Sequence, residues 1–199
     1  MKEQYSYKCS PEMDKQIKSA VDVLKKGGTI LYPTDTIWGL GCDATNAEAV
    51  AKIYEIKKRA ESKSLVTLVN DMDMIGRYIK EIPQIAIELL EVNDAPMTII
   101  YPGAIGLAKN VVAEDGTVGI RIPNNEFCKQ LIFRLHRPIV STSANISGEP
   151  SPQSFEEISE EIKNSVDLIV DKSMEEASTH KASQIIKISL NGEITVIRK

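Results

Sequence analysis

Apolar residues near the start of the chain recur at the spacing of an amphipathic helix. Four of them, between positions 17 and 24, fall at i, i+3, i+4 and i+7, which puts them on one helical face. They are Ile17, Ala20, Val21 and Leu24. Ser10 followed by Pro11 is typical of a helix start, and Gly27-Gly28 is typical of a helix end. The pattern therefore predicts a first helix between these two signals, with one buried face.

Further along, helical periodicity alternates with short apolar runs rich in β-branched residues. Two spacings typical of a capping box, Thr45 with Glu48 and Ser154 with Glu157, predict the starts of two more helices. Other predicted helices cover residues 71–79, 83–90 and 126–135. Predicted strands cover residues 29–32, 65–69, 97–101, 118–122, 139–143 and 168–170.

The end of the chain carries a hairpin signal. Asn191-Gly192, a pair typical of tight hairpin turns, lies between apolar runs at residues 185–189 and 194–197. Helices alternating with strands, followed by a hairpin, indicate an α/β fold around a mixed sheet. Because no repeat, linker or low-complexity tract interrupts this order, we expect one domain over residues 1–199.

Composition narrows the classes of partner and compartment. The net charge of −4 provides no global field that would attract nucleic acid or an acidic membrane, so a polyanion would need a local basic site. The three cysteines, Cys9, Cys42 and Cys128, are widely spaced and indicate neither a zinc site nor a disulfide framework. No apolar run approaches the length of a membrane span. We expect a cytoplasmic protein with no membrane partner.

Several common catalytic motifs are missing from the sequence. It has no GxxxxGK loop, no GxGxxG after a strand, no HExxH helix and no GxSxG elbow. Its two histidines, His136 and His180, both lie in charged, surface-like surroundings, which disfavours a Ser-His-Asp triad. We therefore predict no metal held by clustered side chains.

A first polar segment, residues 32–41, follows the first predicted strand. It carries Thr34, Asp35 and Thr36, with glycines after them. Ligands bind at strand ends in α/β sheets, and glycines allow a backbone to approach a substrate closely. The alternative is a turn held by local hydrogen bonds of its hydroxyl and carboxylate groups.

A second segment, residues 57–63, is cationic and follows a predicted helix. Lys57 and Arg59 are two residues apart, so in an extended segment their side chains would emerge on the same side. Several cations in one loop suit a triphosphate or a carboxylate. The alternative is a solvated helix end, where cations are favoured by the helix dipole.

A third segment, residues 141–152, combines hydroxyls, an amide and a glycine after a predicted strand. Such a loop suits an anion or a sugar, although a plain connection between strand and helix is the alternative. Arg121 is a charge within an apolar strand. It either reaches the surface along its aliphatic stem or faces a cleft with an anionic ligand.

Taken together and in this order, these segments resemble the YrdC-like threonylcarbamoyl-AMP synthase family, from about Lys25 to Arg198. The family's Pro-Thr-acidic-Thr motif corresponds to residues 33–40, and its K-x-R signature to residues 57–59. Its S-x-N motif corresponds to residues 143–145, and its arginine-bearing strand to residues 118–123. The resemblance implies a twisted mixed sheet with flanking helices around a large cationic cavity.

The resemblance also implies a reaction. L-Threonine takes up carbon from bicarbonate or CO2, and the resulting carbamate attacks the α-phosphate of ATP, releasing pyrophosphate. Mg²⁺ is expected on the phosphates. The product, threonylcarbamoyl-AMP, would pass to proteins that transfer the threonylcarbamoyl group to tRNA. Such chemistry depends on holding two substrates in line and offsetting negative charge, which explains the absence of a catalytic histidine.

The resemblance assigns roles to individual positions. Catalytic roles fall to Lys57, Arg59, Ser143 and Asn145. The positions that match threonine-binding residues are Thr36, Arg121, Ser143 and Ser183, with Arg121 taking the carboxylate. The positions that match ATP-binding residues are Lys57, Arg59, Lys63, Thr117, Asn145 and Arg198. Departures from the family pattern occur at Trp38, Leu68, Asn125 and Gln184.

Other functions remain open at this stage. A diverged paralogue similar to YciO shares several of these features, although such paralogues typically lack the complete K-x-R and S-A-N pair. A module binding tRNA or double-stranded RNA would use the cationic segment together with Arg134 and Arg137. The acidic pI of about 5.4 disfavours this function. A sugar-phosphate enzyme of similar topology would need acidic metal ligands, which the sequence does not place.

Overall fold

The structure, a computed structural model, describes residues 9–60, 65–176 and 178–199. The helices within these ranges are α1 (Pro11–Lys25), α2 (Ala47–Ile56), α3 (Met72–Tyr78), α4 (Gln84–Val92), α5 (Glu126–Leu135) and α6 (Glu160–Ser165). The strands are β1 (Ile30–Tyr32), β2 (Gly39–Gly41), β3 (Val66–Leu68), β4 (Met97–Tyr101), β5 (Val118–Arg121), β6 (Ile139–Ser143), β7 (Leu168–Ile169), β8 (Gln184–Ile188) and β9 (Ile194–Arg198). A short 3-10 helix covers Lys172–Met174.

The strands form one mixed, twisted sheet flanked by helices, as predicted for the fold class. Its order is β7-β1-β2-β6-β3-β5-β4-β8-β9. The pairs β1–β7, β3–β5 and β4–β8 are parallel, and the other neighbouring pairs are antiparallel. No helix in the described part of the chain is both long and apolar enough to cross a membrane.

The first helix forms as its sequence predicts. The Ser10 hydroxyl accepts a hydrogen bond from the Met13 amide at 3.1 Å, and proline occupies the first turn. The four apolar residues at helical spacing are all buried. Gly27 then adopts a positive φ of 75°, which turns the chain toward β1.

Both predicted capping boxes are wrong. Helix α2 is capped by Asn46, whose side-chain oxygen accepts hydrogen bonds from the Glu48 and Ala49 amides. The Thr45 hydroxyl instead donates to Asp43 at 2.6 Å. Helix α6 begins only at Glu160, after a cap formed by Ser159. The Glu157 carboxylate instead accepts a hydrogen bond from the Gln153 amide at 2.8 Å. In both places a different polar side chain accepts the hydrogen bonds of the free amides in the first helical turn.

Strand β2 lies inside the first polar segment and was not predicted. It pairs antiparallel with β1 on one side and with β6 on the other, so that Gly39 lies opposite Ser143. A Cβ at Gly41 would lie 2.6 Å from a ring carbon of Tyr32, so the strand needs glycine there to let the ring approach. This register brings the first and third polar segments together.

Candidate active site: a cavity lined by arginines

The polar segments meet at a cavity of about 220 Å³. Its wall combines apolar side chains, hydroxyls and three arginines. The lining residues are Thr36, Ile37, Trp38, Gly39, Arg59, Leu65, Val66, Arg121, Ser141, Thr142, Ser143, Ser151, Ala182, Ser183, Ile185 and Arg198. Of the predicted site residues, the wall thus includes Thr36, Arg59, Arg121, Ser143, Ser183 and Arg198. Lys57, Asn145 and Thr117 lie outside this wall, and Lys63 lies outside the described residues.

Arg121, the last residue of β5, is a buried cation with a buried counter-charge. Its side chain is 4% exposed and forms an ion pair with Asp35, whose side chain is 6% exposed. The other Asp35 oxygen accepts a hydrogen bond from the Asn124 amide at 3.0 Å. Asp35 thus holds the Nη1 end of the guanidinium, while Arg121 also contributes to the cavity wall. The sequence analysis did not predict this role of Asp35. The feature that could have indicated it is the position of an acidic residue between two threonines at the end of a strand.

Two threonine hydroxyls form a chain with a defined direction. The Thr34 hydroxyl donates its only proton to the Ile37 carbonyl oxygen, 2.7 Å away. In the 2.9 Å contact between Thr34 and Thr36, Thr36 must therefore be the donor. The Thr36 oxygen also accepts from the Nη2 group of Arg121 at 3.4 Å. With its proton used, Thr36 can offer a ligand only an acceptor.

The far wall of the cavity is built from the β8–β9 hairpin. The Nε and Nη2 groups of Arg198 donate to the Ser183 carbonyl oxygen at 2.9 and 2.7 Å. The Ser183 hydroxyl shares a hydrogen bond of 2.8 Å with the Thr98 hydroxyl. Burial, and to a smaller extent the charge of Arg121, lowers the pKa of Arg198. Two mutually repelling guanidinium groups at one cavity favour an anionic ligand between them.

Lys57 and Arg59 do not emerge on the same side, which corrects the expectation of an extended segment. Lys58 has a positive φ of 48°, and the amides of Lys58 and Arg59 donate back to the carbonyls of Glu55 and Tyr54. These bonds form a Schellman motif at the end of α2. The chain reversal leaves Lys57 1% exposed behind the cavity wall and puts Arg59 in the wall.

The side chains of the S-x-N motif bond mainly to protein groups. The Ser143 hydroxyl donates to the Asn145 side-chain oxygen at 2.5 Å, and the Asn145 amide group donates to the Glu149 carbonyl at 2.6 Å. The Lys57 ammonium donates to the same Asn145 oxygen at 3.2 Å. Burial, with a smaller effect of Arg59, lowers the pKa of Lys57 to about 8. The two motifs thus form one connected network, of which Ser143 faces the cavity.

The single tryptophan forms part of the cavity wall. Trp38 is 2% exposed and its ring packs against Phe155, with centroids 4.8 Å apart. The Lys163 ammonium lies 4.9 Å from the centre of the Phe155 ring. Because this stack backs the wall, a ligand entering the cavity would change the surroundings of the indole.

The other singled-out positions have structural partners. Thr117 donates its hydroxyl to Asp115 at 2.6 Å, so its contact with a nucleotide stays a prediction. Asn125 caps α5, and Leu68 is fully buried in the core. The remaining departure, Gln184, begins β8 and is exposed. None of the four places a charge in the cavity.

The wall of the cavity includes neither His136 nor His180. His136 ends α5 in a left-handed conformation, and the His180 ring contacts the Gln153 carbonyl at the surface. Within residues 9–60, 65–176 and 178–199, no three His, Cys, Asp or Glu side chains are grouped to hold a metal. None of the lining residues carries a carboxylate. Such a wall fits Mg²⁺ only as an ion that arrives on the phosphates of a nucleotide.

The chain is similar to proteins of known name. A threonylcarbamoyl-AMP synthase of Pyrococcus abyssi is 32% identical over 158 residues, which are 78% of this chain and 46% of the relative. A threonylcarbamoyl-AMP synthase of Vibrio cholerae is 30% identical over 158 residues, 78% of this chain and 84% of the relative. This chain therefore spans about half the length of the archaeal relative and most of the bacterial one.

Solved structures share the fold. The crystal structure of P. abyssi Sua5 complexed with L-threonine superposes with a TM-score of 0.79 at 29% identity, covering 86% of this chain and 50% of that chain. The E. coli YciO structure superposes with a TM-score of 0.77 at 25% identity, covering 93% of this chain and 89% of that chain. Residues 22–199 match the Sua5/YciO/YrdC family, which is described as "Telomere recombination". Because this match covers most of the chain, including every segment that forms the cavity, the chain belongs to the Sua5/YciO/YrdC family.

Proposed function

We propose that this protein forms threonylcarbamoyl-AMP and pyrophosphate from L-threonine, bicarbonate or CO2, and ATP. Two relatives bear the name of this activity, and P. abyssi Sua5, which shares the fold, is complexed with L-threonine in its crystal structure. The observation that carries the proposal for this chain is the buried pair of Asp35 and Arg121 at the cavity wall. A cation held rigidly beside hydroxyls is suited to an amino-acid carboxylate.

The two substrates would occupy different parts of the cavity. Arg121 would bind the threonine carboxylate, since the contacts to Asp35 and Thr36 use only two of its five N–H groups. Thr36, which can only accept, would receive a hydrogen bond from the threonine amine. Arg59 and Arg198 would face the ATP phosphates, and Ser143 would lie between the two substrates.

The chemistry consists of two bond-forming steps. The threonine nitrogen forms a bond to the carbon of CO2 and loses a proton, giving a carbamate. A carbamate oxygen then forms a bond to the α-phosphorus, and the bond from that phosphorus to the bridging oxygen of pyrophosphate breaks. The arginines would offset the charge of the phosphates, and the wall would hold the reacting groups together. Mg²⁺, when bound to ATP, neutralises further phosphate charge.

Pyrophosphate release tests this proposal. Purified protein with Mg-ATP and bicarbonate is expected to release pyrophosphate only when L-threonine is added. Arg121→Lys keeps a charge opposite Asp35 but loses the planar fork, so the KM for threonine should rise by about tenfold or more. The matched control is Arg77→Lys at an exposed position of α3, which should leave the KM unchanged. Release that needs no threonine would refute the proposal.

The same assay separates the synthase from a paralogue similar to YciO, whose fold this chain also shares. The RNA-binding alternative finds less support in the described residues. Lys57 is buried, Lys58 pairs with Glu161 at 2.7 Å, and the two basic residues of the α5 end, Arg134 and Arg137, pair with Asp14 and Asp43. Tight, salt-sensitive RNA binding without nucleotide binding would reverse this ranking.

A further inference from the structure

The Lys57 ammonium has all of its hydrogen-bonding capacity matched by protein oxygens. An ammonium group has three N–H donors. The three acceptors are the Ser143 carbonyl at 2.6 Å, the Asn145 carbonyl at 2.7 Å and the Asn145 side-chain oxygen at 3.2 Å. An anion could reach this nitrogen only by displacing one of them. The geometry therefore differs from that of a lysine waiting for a phosphate.

The main chain of Lys57 bonds to the same loop. The amide of Ser147 donates to the Lys57 carbonyl oxygen at 2.8 Å. Side chain and backbone of one residue thus bind both ends of the turn at residues 143–147, which runs from the end of β6 across the end of α2. Ser143, the first residue of this turn, is the one that lies in the cavity wall.

We infer that Lys57 is a positioning residue, whose ammonium fastens the turn at residues 143–147 to the end of α2 and thereby sets Ser143 in the cavity wall. It is not a ligand of the nucleotide phosphates; of Lys57, Lys58 and Arg59, the described cations of this segment, Arg59 is the one that lines the cavity. This inference concerns the ligand-free protein and does not rest on the proposed reaction, so either can fail while the other stands.

Removing the ammonium takes the donor from the half-buried Asn145 carbonyl, and it leaves the Ser143 carbonyl and the Asn145 side-chain oxygen with one donor each, the Asn145 amide and the Ser143 hydroxyl. This loss should loosen the turn before any ligand binds. In Lys57→Met, amide hydrogen exchange at Ser147 and Glu149 in the ligand-free protein should accelerate by about tenfold or more. The matched control is Lys52→Met, which removes a lysine of the same helix whose ammonium donates to the Gly27 carbonyl instead. Exchange in the turn should stay unchanged in this control.

Chemical rescue distinguishes a lost ammonium from a merely disturbed core. In Lys57→Ala, added ethylammonium should enter the space left by the side chain and restore slow exchange in the turn. Sodium at the same ionic strength should have no such effect. Unaccelerated exchange in folded Lys57→Met, or no difference between ethylammonium and sodium, would overturn the inference.

A measurement on the unmodified protein keeps the test independent of whether the variants fold. The Lys57 ¹⁵Nζ resonance of the ligand-free protein should show slowly exchanging ammonium protons. Its chemical shift should stay constant when inorganic pyrophosphate is added, whereas the Arg59 guanidinium resonances should move. A pyrophosphate-dependent shift of Lys57 as large as that of Arg59 would assign Lys57 to the phosphates and refute the positioning role.

Discussion

Replacing Asp35 by asparagine is expected to destabilise the protein, because it removes the charge that neutralises Arg121. Both side chains are almost completely buried, at 6% and 4% exposure. Breaking a buried ion pair by removing one partner costs about 3–5 kcal/mol, since the remaining charge is left uncompensated. Asparagine keeps one oxygen that can accept from Arg121 or from the Asn124 amide. We therefore expect a loss near the lower end, about 3 kcal/mol.

A double-mutant cycle isolates the pair itself. In Asp35→Asn combined with Arg121→Met, no uncompensated charge remains, so the double variant should lose less than the sum of the two single losses, by about 1–3 kcal/mol. For a chain of this size, a loss of 3 kcal/mol corresponds to a fall of about 6–12 °C in Tm.

Urea unfolding followed by circular dichroism measures these free energies, provided that the m-values of the variants agree. The matched control is Asp94→Asn, an exposed carboxylate that should change the free energy of unfolding by less than about 0.5 kcal/mol. The reasoning fails if Asp35→Asn is as stable as this control, or if the effects of the two single substitutions simply add.

Three further substitutions test local features of the fold. Gly41→Ala places a Cβ 2.6 Å from a ring carbon of Tyr32 and 2.7 Å from the Val140 carbonyl oxygen, and it should cost about 1–3 kcal/mol in thermal unfolding; a neutral result would mean that both the ring and the neighbouring strand can move aside. Gly192→Ala puts a side chain at a φ of 84° and should cost about 1 kcal/mol, with no cost if the hairpin turn rearranges. Asp115 has its pKa lowered to about 2, first by a hydrogen bond from Lys187, so it stabilises the fold above its ordinary pKa of 3.8 and ceases to do so as the pH falls through 2. Asp115→Asn should therefore cost less than about 1 kcal/mol at pH 7, because the pair is half exposed, and a smaller amount at pH 2, where about half of the carboxylates are protonated; an equal cost at both pH values would contradict this assignment.

Elements with strong periodicity and an unambiguous cap could be predicted from the sequence. The predicted bounds of α5, β4 and β6 agree with the structure. In α5 the Asn125 side chain accepts a hydrogen bond from the Cys128 amide at 2.9 Å and so caps the helix at its predicted start. The four family motifs contain seven of the sixteen residues of the cavity wall, because the strand ends that carry these motifs meet in the sheet.

Local spacing could not decide between competing hydrogen bonds. Thr45 and Glu48 have the spacing of a capping box, but Asp43 takes the Thr45 hydroxyl and leaves the cap to Asn46. The direction in which the Lys57 side chain points depends on the left-handed backbone conformation of Lys58. Lysine rarely adopts this conformation, so its presence in the sequence does not predict it. For the same reason the sequence did not show that Lys57 is buried whereas Arg59 lines the cavity.

Isotope-labelled bicarbonate tests the central claim most directly. The protein is incubated with L-threonine, Mg-ATP and ¹³C-bicarbonate, and the adenylates are analysed by mass spectrometry without delay. The account predicts threonylcarbamoyl-AMP that is heavier by the one labelled carbon, and much less of it with Arg121→Lys at a threonine concentration below the KM of that variant. An adenylate without the label, or none that contains threonine, would contradict it.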